Sequence, residues 1–504
     1  MVRLPAMLRR VTRVVALGAV LIAASVPTAS VKATDLLDLG CSNATGHRQD
    51  ASHSGASCTT LPSSPEQQWS VTLAGQVSYP LIANGRVFVT TSSSTGEYGG
   101  WLYALDAATG ENAWGPVPLT GTYYWSSLAY DAGTVFVNNF DGAITAFDAV
   151  TGAQRWAQRT EYFAGELVAR NGIVYQHGAH AVHALSALTG EIVWTSYSLD
   201  GTGSSISVDD EGVYVAAGCS WYRLSLTTGK VVWSANRGCG GGGGGVTYPT
   251  ATRVFMKHSS NTAYVFDKAT GEIVGTYGGL PAFYGSTVYL ANDKMIVAED
   301  IVTLAPKFTA QLPAVVTTSP VVAGGIVYVG AGTNVYAVDG TSGQITWTGS
   351  VPTQSGGGTQ FSSPTSDIAV GNGLLVVPAG NTLTAFGGLV LIPPLIPTPT
   401  TTTTTTTSVP PTTTTTAPEN SVPVPRFGKF AQAKPRWVFV NGIPSVDSDG
   451  SIVKYEWRWG DGSKPSGFRY GWHQYKQAGW YLIRLTITDD KGATATRAIW
   501  FRVN

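Results

Sequence analysis

The stretch "SPVVAGGIVYVGAGTNVYAVDGTSGQITWTGSV", residues 319–351, reads as four short apolar runs separated by Gly-Gly, Ala-Gly-Thr-Asn and Thr-Ser-Gly. Such interruptions are hairpin connections, so the stretch predicts a four-stranded antiparallel unit. Units of this kind repeated about every 40 residues are the signature of a β-propeller. The turn glycine of the unit recurs at Gly110, Gly152, Gly190, Gly229, Gly271 and Gly343, with spacings of 42, 38, 39, 42 and 72. The last spacing is twice 36, and one degenerate unit, "STVYLANDKMIVAEDIVTLAPKFTAQL", fills it with its threonine-glycine turn decayed.

The inner hairpins give the blade number. They begin at "PLIANGRVFVT" and end at "DIAVGNGLLVV", and there are eight. The last unit stops after "NTLTAF", while "EQQWSVTL" at Glu66 to Leu73 is an outer-strand sequence with no blade of its own. Pairing the two would close the ring and hide both free sheet edges. In "ALDAATGENAW" the side chains of Asp106 and Thr109 suit bonds to their own turn, and Gly110 permits positive φ. Trp114 then falls on the outer strand, where it can pack against the next blade; Trp156, Trp194, Trp233 and Trp347 repeat the role.

Composition agrees with an all-β chain. The 504 residues include 60 Gly and 15 Trp, are 43% hydrophobic and only 12% charged, and lack the Leu, Glu and Lys stripes of helices. Residues 1–33 combine four early arginines, an apolar run from Val14 to Val26 and small residues ending at Ala33, which predicts a secretory leader. An apolar run of about 13 residues is too short to span a ~30 Å hydrocarbon core as a helix. Residues 34–65 follow as an N-terminal segment, 66–388 as the propeller, 389–420 as a Thr/Pro spacer of extended geometry, and 421–504 as a separate domain. From Thr34 to Asn420 there are 13 basic and 25 acidic residues; from Ser421 onward there are 13 basic and 6 acidic. An acidic body therefore carries a basic tail.

The repeats, with "VYV…LYALDAATGE…W", resemble those of the pyrroloquinoline-quinone (PQQ) family of eight-bladed propellers over residues 66–388, and "HRQDASHSG" is similar to the segment that often precedes the first blade. The family contains quinone-dependent dehydrogenases and also propellers without quinone, so the resemblance implies the fold and leaves the activity open. An active dehydrogenase would be implied by two adjacent cysteines, a calcium site and a general-base aspartate in the central funnel. The cysteines here, Cys41, Cys58, Cys219 and Cys239, include no adjacent pair, and no acidic residue matches the metal or base positions. No cofactor, metal or catalytic residue is therefore expected. Residues 421–504 resemble a PKD domain, an immunoglobulin-like β-sandwich, through "SVDSDGSIVKYEWRWGDGS", "HQY" and "AGWYLIRLTITDDKGATAT", with Trp459 where that family usually has Phe. Asp447, Asp449 and Asp461 read as turn residues bonding backbone amides.

Four cysteines in a secreted chain can pair three ways. Cys41 and Cys58 share the short N-terminal segment. Cys219, in a second-to-third strand turn, and Cys239, in a blade-to-blade connection, fall on one face of the ring, so Cys41–Cys58 and Cys219–Cys239 are expected. The same parity collects Trp101, Tyr123, Tyr124, Trp125, Tyr162, Phe163, Tyr248 and Phe361 on one rim. Aromatic side chains beside flexible glycines suit sugar stacking or peptide binding. Of these, Trp101, Tyr123, Tyr124, Trp125, Tyr162 and Phe163 are the candidate ligand-binding residues. His177, His180 and His183 straddle a hairpin rather than aligning on a helix, His183 takes the slot held by Tyr103 and Tyr336 and reads as a packing residue, and "CGGGGGGV" lacks the Lys and Ser/Thr of a phosphate loop.

The expectation is a secreted or cell-wall-associated monomer: an eight-bladed propeller plus PKD domain that binds an extracellular glycan or surface protein, without nucleic acid or membrane insertion. The alternative is an enzyme, either a PQQ-dependent dehydrogenase or a carbohydrate-active hydrolase.

Overall fold

The structure, a computed structural model, describes residues 42–388 apart from 94–98, 120, 122–125, 198, 200–204, 219, 237–244, 258–262 and 357–365. In the tail it describes 420–503 apart from 421, 426–430, 435, 443–444, 446 and 448–451. The expected leader and most of the Thr/Pro spacer lie outside these residues.

Every regular element among the described residues is a strand. Eight antiparallel blades follow one another at residues 81–119, 126–159, 168–197, 207–236, 246–276, 280–311, 321–350 and 369–387. The inner strands are almost wholly buried, as in Leu81–Ala83 and Thr134–Asn139, while outer strands such as Gln154–Arg159 face solvent. The eighth blade has only three strands of its own. Its fourth is Glu66–Thr72, antiparallel to Thr382–Gly387, with Trp69 opposite Ala385. The ring closes as the orphaned outer-strand sequence implies.

The repeated turn builds a clasp between blades. In blade 1 the Asp106 carboxylate accepts the amides of Ala108 (2.9 Å) and Thr109 (3.1 Å), and Thr109 Oγ1 accepts the amide of Glu111 (3.2 Å). Asp148, Asp267, Asp300 and Asp339 do the same in their blades. The turn glycine leaves a flat spot for the previous blade's tryptophan: a Cβ on Gly110 would lie 2.7 Å from Trp69, and one on Gly152 2.7 Å from Trp114. Each indole then donates to a carbonyl of that same turn, Trp69 to Ala107 (2.9 Å), Trp114 to Ala149 (3.1 Å) and Trp156 to Ala187 (2.9 Å).

The degenerate sixth unit shows the same physics inverted. Its turn has Leu304 at φ 58 in place of glycine, and the preceding outer strand has Gly275 in place of tryptophan. Leu304 Cδ1 fills the space where a side chain on Gly275 would go. The bulky partner has changed sides, so the decayed motif still packs.

The tail forms two three-stranded sheets. Ala431–Lys434, Trp437–Asn441 and Tyr470–Gln474 make one; Ile452–Arg458, Gly479–Asp489 and Thr494–Val503 make the other. Trp457, Trp459, Tyr475, Ile483, Leu485 and Ile487 form its core. Trp459 stacks on His473 at 4.1 Å, and His473 Nε2 lies 2.7 Å from Asp461. Asp461 also accepts the amide (3.0 Å) and hydroxyl (2.6 Å) of Ser463, the turn role expected of it. Asp449 lies outside the described residues.

Candidate functional site: a buried polar plug and an aromatic rim

The segment 42–59 makes a circuit of the ring's interior and touches all eight blades. Asn372 of blade 8 donates its amide to the Ser42 carbonyl (2.8 Å), Ala44 exchanges two bonds with Ile82 of blade 1, and Tyr130 of blade 2 donates to the Thr45 carbonyl (2.8 Å). His47 Nδ1 lies 2.7 Å from Glu166 Oε2, two residues before the first strand of blade 3, Val168–Arg170. Val208 of blade 4 donates to the Ala51 carbonyl (2.7 Å). Arg48 bonds the Tyr248 hydroxyl of blade 5. Phe283 of blade 6 donates to Ser54 (2.9 Å), Val322 of blade 7 to Gly55 (2.6 Å), and Ala56–Ser57 runs parallel to Val321–Ala323. The circuit ends where it began, with Gly373 donating to Thr59 Oγ1 (2.9 Å).

Its conformation is unusual and held by side chains. Arg48, Gln49 and His53 all have positive φ (54, 86 and 55), a backbone state that costs on the order of 1–3 kcal/mol per residue unless its surroundings over-determine it. Asp50 supplies part of that support by accepting both the amides and the hydroxyls of Ser52 and Ser54. Gln49 supplies more, clamping Val370 through its carbonyl (2.6 Å) and amide (2.8 Å). Gly55 is required by space as well as by φ: a Cβ there would sit 2.7 Å from that of Ala282.

The plug is charged yet internally compensated. His47 is only 5% exposed and sits between two carboxylates, Glu166 at 2.7 Å and Asp367 Oδ2 at 3.3 Å from Nε2. Burial opposes its protonated form, but the charge of Glu166 and the hydrogen bonds to Asp367 and Glu166 prevail and raise its pKa to about 9. Burial would likewise raise Glu166, and the His47 cation reverses this, holding its pKa at about 2. His53 is driven down to about 3 by burial and then by the charge of His47, so it is neutral. The Arg48 guanidinium lies 4.9 Å from the Tyr248 ring centroid, and burial pushes the Tyr248 hydroxyl up to about 12. A histidine between two carboxylates can in principle move protons. His47 and Asp367 are buried and the Glu166 side chain keeps 12% exposure, so the three together brace the segment against the ring.

The rim differs from expectation in two places. Tyr248, expected on the rim, is 1% exposed because it lies in the inner strand Val246–Pro249 opposite Phe255 and packs in the core between blades 5 and 6, where its hydroxyl meets Arg48. Trp101 is the second residue of the third strand of blade 1, Gly100–Asp106, and is half-buried against the core between blades 8 and 1. Tyr162 and Phe163, in the connection from blade 2 to blade 3, are 58% and 48% exposed. Phe163 is held at φ 58 with its ring edge-on to Phe140 at 5.2 Å. Beside them Glu161 accepts the His180 amide (2.8 Å). Tyr123, Tyr124, Trp125 and Phe361 lie outside the described residues, as do Cys41, Cys219 and Cys239. Among the described residues no cysteine is free. His177 and His183 are buried as packing residues, and the described residues contain no group of three or more His, Cys, Asp or Glu placed to hold a metal ion.

The sequence alone did not single out His47, Arg48, Gln49, His53, Glu166 or Asp367. The signal available was a dense run of polar and histidine residues, "HRQDASH", between two cysteines in an otherwise apolar chain.

Among the described residues, His47, Arg48, Gln49 and His53 bring four polar side chains against the inner strands of the ring, where they meet Glu166, Tyr248, Val370, Thr247 and Asp367.

Comparison with known proteins agrees with this architecture. The PQQ-repeat family described as "Outer membrane protein assembly factor BamB" matches residues 52–121, 99–237 and 275–389, more than half of the chain, and the PKD family matches 420–503. The dehydrogenase subunit of a quinone alcohol dehydrogenase from Acetobacter aceti is 30% identical over 159 residues, covering 25% of this chain and 20% of that protein. Collagenase ColA of Clostridium perfringens is 40% identical over 58 residues, 12% of this chain and 5% of the collagenase. The chain thus spans a fifth or less of these curated relatives. Among solved structures, a europium-containing methanol dehydrogenase superposes with a TM-score of 0.54 at 14% identity, covering 68% of this chain and 98% of that one. The quinohemoprotein alcohol dehydrogenase from Comamonas testosteroni gives 0.53 at 14%, covering 68% and 80%. At such identities the likeness concerns the fold alone. Eight closed blades, the repeated clasp and these matches place the chain in the PQQ-repeat β-propeller family, with a PKD domain at its C-terminal end.

Proposed function

We propose that the protein is a non-catalytic binding scaffold that acts outside the cell, its propeller rim recognising a glycan or a surface protein and its PKD domain serving as an accessory module. The observation that carries this reading is the plug: residues 42–59 are bonded to the blades around the ring's interior, with the charge of His47 matched by Glu166 and Asp367, whereas the aromatic side chains Tyr162 and Phe163 are accessible on the rim. The leader-like N-terminus, the Thr/Pro spacer and the even number of cysteines support an extracellular location. The competing reading is quinone-dependent oxidation, favoured by the names of the alcohol dehydrogenase relatives.

An array of immobilised glycans probed with the full chain tests the proposal. Binding without turnover is expected, with loss of binding in the Tyr162→Ala, Phe163→Ala double variant. Release of reducing sugar from any bound glycan, or binding unaffected by the double variant, would overturn it.

A further inference from the structure

The PKD domain presents a second surface, independent of the propeller rim. In the sheet formed by Ile452–Arg458, Gly479–Asp489 and Thr494–Val503, alternate residues Tyr455, Trp457, Ile483, Leu485 and Ile487 point into the core. Strand alternation puts their neighbours on the opposite face. Lys454, Glu456 and Arg458 lie along one strand of that face, Trp480 and Arg484 along the next, and Arg502 on the third.

Four cations therefore share one flat face with a single acid. Glu456 serves both neighbours on its own strand, at 3.0 Å from Arg458 and 3.6 Å from Lys454. Arg458 is also directly opposite Arg484, a like-charge pair that destabilises a sheet unless an anion intervenes. Trp480, 64% exposed, is directly opposite Arg502 and four residues from Arg484, roughly 13 Å along the strand. An exposed indole offers a flat apolar surface for the C–H face of a sugar ring, and paired guanidinium groups take carboxylate or sulfate oxygens two at a time.

We propose that this face binds a linear anionic polysaccharide, with Trp480 stacking on one sugar and Arg458 and Arg484 together holding an acidic group further along the chain. The excess of basic over acidic residues in this domain, 13 against 6, favours a polyanion. The protein's own acidic propeller leaves the face exposed, so it is not the occupant. This inference does not rest on the function proposed for the rim.

The test is retention of the full chain on immobilised polygalacturonate, dextran sulfate and neutral dextran at low salt. Retention on at least one of the two charged polymers, weakened by salt and absent on neutral dextran, is expected. Arg458→Gln with Arg484→Gln should weaken it at least about tenfold, as expected for lost charge-assisted bonds, and Trp480→Ala should weaken it severalfold. All three side chains are exposed, so unchanged near-ultraviolet circular dichroism should accompany these losses. No retention of the wild-type chain, or retention unaltered in the variants, would overturn the proposal. So would equally tight retention on duplex DNA that is indifferent to Trp480→Ala, which would mark the face as a non-specific polyanion surface.

Discussion

Replacing Glu166 by glutamine removes one charge from the axial cluster and leaves volume and an acceptor oxygen in place, so its effect isolates the electrostatics of the plug. The rise of the His47 pKa from 6.5 to about 9 corresponds to about 3 kcal/mol, supplied jointly by Glu166 and Asp367. The depressed pKa of Glu166 reports the same interaction and is not counted again. Glu166, closer and named first among the groups that raise His47, contributes the larger part. The variant should therefore loosen the plug by about 2–3 kcal/mol, in line with the loss of one partner from a buried pair. Hydrogen exchange read by mass spectrometry is the assay, since Thr45, His53 and Gly55 donate their amides within the segment and Ala44 to Ile82. Exchange of the peptide covering residues 44–57 should accelerate about 30- to 150-fold. Peptides from the exposed outer strand Ile345–Ser350 should change little. Unchanged exchange in 44–57, or a wild-type peptide that exchanges as fast as an exposed loop, would refute the reasoning.

The same cluster sets a pH profile. His53 has a folded pKa of about 3, below its unfolded value, so the unfolded chain binds the extra proton and stability falls as pH drops from about 6.5 toward 3; His177, held at about 4, acts in the same direction. His47 is raised, so its contribution is full below about 6.5 and is lost as pH rises through 9. Melting temperature should peak between these limbs, and His53→Gln should flatten the acid limb only, whereas a flat wild-type profile would contradict the burial of these rings. Trp69→Ala should cost about 3–5 kcal/mol, because it removes the indole that clasps Gly110 and bonds the Ala107 carbonyl at the closing seam; a loss below 1 kcal/mol in denaturant titration would show that the seam does not hold the ring. Ser42 and Thr59 are bound by adjacent amides of the Asn372–Gly373 turn, which brings both ends of the plug together. Peptide mapping without reductant should accordingly recover Cys41 linked to Cys58, and any other partner for Cys58 would count against the closed circuit.

The ring was legible because its logic is local and repeated. Each Asp-Thr-Gly turn and outer tryptophan carries its own turn chemistry, and the unpaired "EQQWSVTL" could only complete the eighth blade. The swap of Leu304 for glycine was legible as decay but not as compensation, since its partner Gly275 sits in another blade. The plug was hidden for the same reason in stronger form. His47 meets Glu166 across 119 residues and Gln49 meets Val370 across 321, and no periodicity links positions that far apart. Tyr248 shows the cost: its place in the sequence reads as a rim loop, whereas it lies in the inner strand Val246–Pro249, packs with Phe255 and Phe283 and bonds Arg48 two hundred residues away.

The non-catalytic reading proposed above has residues 42–59 bonded into the ring's interior where a quinone enzyme of this fold would need its cofactor. Titration of the full chain with PQQ and calcium, followed by quinone absorbance and by reduction of an artificial electron acceptor in the presence of alcohols, tests it most directly. No saturable quinone binding and no alcohol-dependent dye reduction are expected. Stoichiometric binding with dye reduction would contradict that reading.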